Sequence, residues 1–436
     1  MKKLFITFIL LVATIFLAGC EGSSSKEDTI RFSWWGTSER NVATHKALKL
    51  FTEKTGIKVE PDQKTWNGYQ TVLYNYLERG NEADVFQINY NWIYSMDGAD
   101  YFYDINELGI DFSKYPESEH KPLTVDGKVL GLSISETGYI FYLNKKVYEE
   151  AGAEIPTTWD ELIEAGQKIK AHDPKKYAIG RLDTQQASIL MYSYLAQKYG
   201  KNVIEGDKFA FTKEELIEGL NFLDDLRSNN VLIENLQNDT HQDGPTNPNW
   251  INYENYGGIL QWNTAVSEYQ NTLPQGDEKM VTAGMFQINK GEQLGMYKKV
   301  SMAYAVSTRV AKSDVKKENV KKFLEFMTTD PEAVEILGVD RGVPSHSGAR
   351  EQLAKKPEYK NSLEWMGHDI VQTYYDNQLS SNQNLYIHPF YEHETFRNVY
   401  EQPLQKFLFG TQNVEQTANE ILRTFDTNLT KVMEGR

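Results

Sequence analysis

The sequence predicts an α/β layered fold, on three observations. Short apolar runs alternate with helical patterns through the first hundred residues. Apolar content of 40% and charged content of 25% are those of a soluble globular chain. A length of 436 residues exceeds one ordinary core, so two or three compact units are expected.

"TIRFSWWG", Thr29 to Gly36, reads as the first strand, closed by a glycine. Neighbours along a strand point to opposite faces. Ile30, Phe32 and Trp34 therefore form the core face, and Trp35, on the other face at the strand's end, is expected to lean over a ligand crevice; the alternative is a central strand covered on both faces, which buries both tryptophans. A helical pattern follows at Val42, Leu48, Leu50 and Phe51. "GIKVEP" reads as a second strand, "NGYQTVLYNYLERG" as a second helix and "ADVFQINY" as a third strand. "DGKVLGLSISETGYIFYLNKKVYEEAG" supplies two β-rich runs, broken at Glu136 to Gly138, where the chain is expected to cross between domains.

Thr158 with Glu161, and Thr212 with Glu215, are capping boxes that open helices. Their apolar stripes are Trp159, Leu162, Ile163 and Ile169 in the first, and Leu216, Leu220, Leu223 and Leu226 in the second. "ENVKKFLEFMTTDPEAVEILG" reads as a helix, a break at Asp330-Pro331 and a short second helix. From Gln412 to Met433 a long amphipathic helix carries Val414, Ala418, Ile421, Phe425, Leu429 and Val432 inward. The longest weakly patterned stretch, Asn235 to Trp250, is the kind of loop that is functional or disordered.

The start reads as a targeting signal. Lys2 and Lys3 precede an apolar run from Leu4 to Leu17, too short to span a bilayer, and "LAGC" follows. Cys20 is the only cysteine, so it cannot staple an exported fold and calls for another job. Residues 1–19 are expected to be a signal peptide and residues 20–28 a tether that is small and polar. The alternative is an uncleaved anchor with an incidental cysteine. The formal charge of −15 becomes more negative still once Lys2 and Lys3 are removed, and it argues against a nucleic-acid partner.

No glycine-rich phosphate loop, nucleophile elbow or HExxH motif is present. "DTHQDG" from Asp239 fails the EF-hand pattern, and the 8 histidines show no metal spacing. No catalytic residue, metal or cofactor is therefore expected. What recurs is Trp or Tyr at predicted strand ends beside amides or acids: Trp35, Trp66-Asn67-Gly68-Tyr69, Asn89-Tyr90-Asn91-Trp92 and Gln261-Trp262-Asn263. In open α/β sheets the ligand crevice lies at the carboxyl ends of strands. Aromatic faces ringed by polar groups suit a pyranose, with its apolar C–H face and rim of hydroxyls.

On these residues the chain resembles the extracellular solute-binding proteins of bacterial ABC transporters, in the carbohydrate-binding family that includes maltose-binding protein. "LAGC" resembles the lipobox of bacterial lipoproteins, and the likeness runs through "TIRFSWWG", "ADVFQINYNWI", "GILQWN", "KKFLEFMTTDPEAVEILG" and "RGVPSH". Its most specific part is Asp126 to Ile169. The resemblance implies a type II fold of two lobes joined by a multi-strand hinge. Residues 29–137 and 300–343 would form the N-terminal lobe, and residues 138–299 and 344–436 the C-terminal lobe. It implies sugar stacking on Trp35, Trp66, Trp92 and Trp262, and polar contacts from Ser38, Glu39, Arg40, Glu136 and Arg341; Asn89, from the aromatic–amide pattern, is expected to join them. Phe390 and Tyr391 match only loosely a late sugar-stacking position. It further implies lipidation of Cys20, a place on the outer face of the cytoplasmic membrane, a monomer, and delivery of an oligosaccharide to a permease. The competing readings are a receptor for another small solute, such as a glycerol phosphate or a polyamine, a secreted glycoside-active enzyme, and an adhesive lipoprotein.

Overall fold

The computed structural model describes residues 29–36, 38–96, 101–239, 241, 244–273, 280–292, 295–380 and 389–434. The expectations for residues 1–28, Cys20 among them, lie outside the described residues.

The first four elements alternate as expected. β1 (Thr29–Trp35) leads into α1 (Ser38–Thr55), and β2 (Lys58–Lys64) into α2 (Tyr69–Glu78). β3 (Val85–Ile88) follows. β1 pairs in parallel with β2 on one side and β3 on the other. Pro61 is tolerated in β2 because β2 is the sheet edge. Gly36 sits where the chain leaves β1 so tightly that a Cβ would lie 2.8 Å from Asn41 Oδ1.

β4 (Leu132–Asn144) corrects the expectation of a broken pair of runs: it is one strand of 13 residues. What changes at Glu136 to Gly138 is its partners. Up to Gly138 it pairs antiparallel with β7 (Lys298–Val306); from Tyr139 on it pairs with β5 (Gly258–Trp262) and β6 (Met280–Gly284). β7 also pairs antiparallel with β3. Among the described residues, seven strands thus form one continuous sheet that serves both lobes. Gly138 is required at the exchange, since a Cβ there would lie 2.8 Å from Val371.

Each side of the exchange has its own core. In the first lobe, Ile30, Phe32 and Trp34 pack with Phe51, Tyr304 and Phe323 on one face of the sheet. The other face buries Trp35, Tyr69, Phe86, Trp92 and Ala303. Both faces of β1 are therefore covered, so Trp34 and Trp35 are both buried, at 0% and 6% exposure. The expectation for Trp34 holds, whereas Trp35 is not the exposed ring. The second lobe buries Tyr139–Leu143 with α3 (Trp159–His172), α4 (Thr184–Tyr199), α5 (Lys213–Ser228), α10 (Glu394–Leu408) and α11 (Val414–Glu434).

Both capping boxes form: Thr158 Oγ1 accepts from Glu161 N at 3.2 Å, and Thr212 repeats the geometry with Glu215. The break at Asp330-Pro331 separates α6 (Asp314–Thr329) from α7 (Pro331–Leu337), with Asp330 capping the second helix. α8 (Ser347–Leu353) sets Ala349 and Leu353 against Val334 and Val343, and the cluster is completed by Trp365 of α9 (Leu363–Ser380). Val42, one position of the helical pattern of α1, is 54% exposed.

Candidate functional site

The strand order β2-β1-β3 makes β1 and β3 a topological switch point, because the chain leaves their carboxyl ends in opposite directions. Trp35 closes β1, and Asn89 to Trp92 follow β3. The short turn after β2 carries Trp66, and Gly68, at φ 80°, bends the chain from there into α2. Tyr69 locks that turn: its hydroxyl donates to the carbonyls of Ser33 at 3.2 Å and Gln87 at 3.1 Å.

These segments bring Trp35, Trp66 and Trp92 together. Ring centroids are 5.2 Å apart for Trp35 and Trp66, 5.4 Å for Trp35 and Trp92, and 5.9 Å for Trp66 and Trp92. The roles within the group differ. Trp92 is 2% exposed and Trp35 is nearly as covered, but Trp66 is 52% exposed. Two buried indoles thus support one that is open to solvent. Asn89 is half-buried, and its carbonyl accepts from Trp92 N at 3.1 Å.

Trp262, at the end of β5, is half-buried and stacks on Tyr139 with centroids 3.7 Å apart. The Lys299 ammonium lies 4.4 Å from the Trp262 ring centre and 5.6 Å from that of Tyr90. Lys299 is paired with Glu392 at 2.5 Å, and Glu392 also accepts from Gln185 at 3.3 Å. The Glu392 carbonyl accepts from Asn91 Nδ2, likewise at 3.3 Å. Tyr90 and Asn91 after β3, Lys299 on β7, and Gln185, Trp262 and Glu392 of the second lobe therefore meet at one place. Lys299, Glu392 and Gln185 escaped the sequence reading. The one available signal was the lysine pair that opens the mostly apolar strand β7.

The other expected residues fall elsewhere. Arg40 donates from Nε to the Asp340 carbonyl at 3.0 Å, and burial, then the neighbouring Arg341 charge, lowers its guanidinium to about 10. Glu39 is exposed and lies with Val42, Lys46 and Ile336 in a shallow groove between α1 and α7. The Ser38 and Phe390 side chains lie outside the described residues. Tyr391 is a core ring, stacked on Tyr400 at 4.3 Å. Arg341, 5% exposed, donates to Gln87 at 2.9 Å and Thr44 at 2.8 Å, and its carbonyl accepts from Ser135.

Glu136 is 2% exposed and pairs with Lys298 at 2.7 Å inside the strand exchange. Burial alone raises a carboxyl, but Lys298 and then His368 draw Glu136 below its usual range. Nearby Glu119 accepts from Ser133 at 2.8 Å and from Ser345. Burial, then the Glu136 charge, lifts Glu119 to about 7.

Residues 36–334 match the family model for bacterial extracellular solute-binding proteins. The chain belongs to that family. A multiple sugar-binding protein of Streptococcus mutans is 26% identical over 187 residues, which are 41% of this chain and 43% of that protein. An arabinooligosaccharide-binding protein of Halalkalibacterium halodurans is 23% identical over 236 residues, 52% of this chain and 50% of that protein. The chain thus spans about half the length of these curated relatives. Among solved structures, a periplasmic solute-binding protein of Pectobacterium atrosepticum superposes with a TM-score of 0.80 at 28% identity, over 93% of this chain and 99% of that one. A periplasmic oligogalacturonide-binding protein of Yersinia enterocolitica, in complex with saturated digalacturonic acid, gives 0.78 at 26% over the same shares. The two-lobed type II architecture expected from the sequence is the one found. Among the described residues no helix is long and apolar enough to cross a membrane.

Proposed function

We propose that this protein is a membrane-tethered extracellular receptor that captures an oligosaccharide between its lobes and delivers it to the permease of an ABC importer. The observation that carries the reading is the solvent-facing Trp66, backed by Trp92 and Trp35 at the switch point, with Trp262 on the second lobe. An open indole on a rigid aromatic base offers a sugar ring a dry face that needs little reordering on binding. The multiple sugar- and arabinooligosaccharide-binding relatives support this class.

A phosphate ligand wants converging cations. Lys299 is already paired with Glu392, and Arg40 with the Asp340 carbonyl, so that alternative is disfavoured. Glu136 and Arg341 are read as holding the strand exchange rather than the ligand. The two cores support lobes of residues 29–137 with 300–343 and 138–299 with 344–436, with α8 docking back onto the first. Lipidation at Cys20 and a monomeric state complete the proposal.

The test is thermal unfolding of the purified protein over a panel of oligosaccharides, with the glycans recovered afterwards. A bound sugar at about 100 times its dissociation constant stabilises by about 2.7 kcal/mol and is recovered intact. A panel that leaves the melting unchanged, or glycans recovered cleaved, overturns the reading.

A further inference from the structure

The second lobe holds a cavity of about 240 Å³, and β5 lines it as far as Gln261, the residue before Trp262. Residues 177–180 run parallel to the chain entering β5: Tyr177 bridges Tyr256, and Gly258 N donates to the Ile179 carbonyl at 3.3 Å. Beyond that point one segment turns into α4 and the other ends at Trp262, and the cavity fills the gap. This is again a crevice at the carboxyl ends of neighbouring parallel segments.

Its base is apolar and buried, with Trp250 1%, Tyr256 6% and Leu260 0% exposed. Arg181, Asp183 and Gln261 supply polar lining. The wall is held by Asp239, from the weakly patterned stretch of Asn235 to Trp250. Its carboxylate accepts from Tyr256 Oη at 2.6 Å and Asn247 Nδ2 at 2.9 Å, while its carbonyl accepts from Arg181 Nη1 at 2.6 Å. Three lining residues are thus fixed by one side chain and its backbone.

We propose that this cavity takes one uncharged pyranose, the terminal ring of the bound oligosaccharide, and that Asp239 is the positioning residue for its wall. The inference rests on the oligosaccharide reading above. The volume is below the roughly 300–1,000 Å³ of pockets that enclose a drug-sized ligand, so it suits a single ring and not a length of chain. A hydroxyl both donates and accepts, which matches a lining with one guanidinium, one carboxylate and amides. A uronate ring would instead bring a second carboxylate beside Asp183.

The experiment uses calorimetry on the full chain with gluco-, arabino- and galacturono-oligosaccharides of one to six residues. The tightest is then repeated with a bulky aromatic label on its reducing or its non-reducing end. A neutral sugar should bind best, and a label at one end should cost at least about tenfold in affinity, while a label at the other costs little. Tyr269 also lines the cavity, and its hydroxyl accepts from Gln261 Nε2 at 3.2 Å. Gln261→Leu and Tyr269→Phe, each checked for unchanged melting, should weaken the unlabelled sugar by about tenfold, as the loss of one or two hydrogen bonds does. Asp239→Asn should weaken it too, and a variant that melts early is set aside in favour of the other two. If both labels are tolerated while Trp66→Ala still weakens binding, the cleft reading stands and the terminal-ring cavity is wrong. Preference for galacturonides overturns the uncharged ring, and binding of no sugar at all overturns both readings.

Discussion

Trp66 lies nearly parallel to Trp92, with ring centroids 5.9 Å apart and planes 18° apart, and of the two only Trp66 meets water. The pair divides labour that the sequence reading had assigned to Trp34 and Trp35. Trp34→Ala and Trp35→Ala should each destabilise the ligand-free protein by on the order of 3–5 kcal/mol, as large core truncations do. Trp66→Ala should cost about 1 kcal/mol or less, the value of an aromatic contact. It should weaken sugar binding by roughly 1–3 kcal/mol, by analogy with stacking under a planar ring. Urea unfolding and calorimetry on the three variants separate the roles; a Trp66→Ala protein that binds as wild type does removes the platform.

Glu136 and Lys298 test whether the strand exchange is architecture or ligand site. Removing one partner of a buried ion pair leaves the other charge unpaired and costs about 3–5 kcal/mol, whereas replacing both with apolar residues costs much less. Glu136→Gln should therefore be far less stable than the Glu136→Leu, Lys298→Met double variant, with sugar affinity close to wild type in the latter. Loss of affinity in a well-folded double variant would restore Glu136 as a ligand contact.

The sequence made the local devices legible because their signals are local. Both capping boxes, the Asp330-Pro331 break and the inward stripe of α11 depend on residues three or four apart. The aromatic positions at strand ends were legible too, and the structure does bring Trp35, Trp66 and Trp92 together. Which ring is wet was not legible, because that depends on α2 folding back so that Tyr69 and Trp66 cover Trp35. The polarity of "SISETG" suggested a break in β4 because its neutralising partners lie far away in sequence: Lys298 for Glu136, and Asn263, whose Oδ1 accepts from Thr137 at 3.0 Å and Gly138 N at 2.9 Å. Pairing across more than a hundred residues leaves no periodic trace.

Cys20 offers a test independent of the cleft. One acyl chain holds a protein at a membrane only marginally, so firm anchoring needs a second, as a diacylglyceryl group provides. Cys20→Ser should appear in the medium or stay unprocessed on fractionation of producing cells. A Cys20→Ser protein that is processed and still wholly membrane-bound excludes lipidation there as the anchor.

Glu119 is where pH should act on the fold. Its carboxyl sits at about 7 in the folded protein, against an ordinary 4.5, through burial and then the charge of Glu136. Between those two values the folded state keeps a proton that the unfolded state has released, so this group's contribution is complete below about pH 4.5 and is lost as pH rises through 7. His368, lowered to about 4 chiefly by burial, stays neutral over that window, and Glu136 stays charged against Lys298. Glu119→Gln imitates the protonated acid and can still accept from Ser133 and Ser345. The variant should match wild type near pH 4 and exceed it at pH 8 by on the order of 3 kcal/mol. Denaturation of both proteins from pH 4 to 8 reads the difference, since groups that do not interact with Glu119 titrate alike in the two. A difference that does not change with pH would mean that Glu119 titrates alike in the folded and unfolded protein.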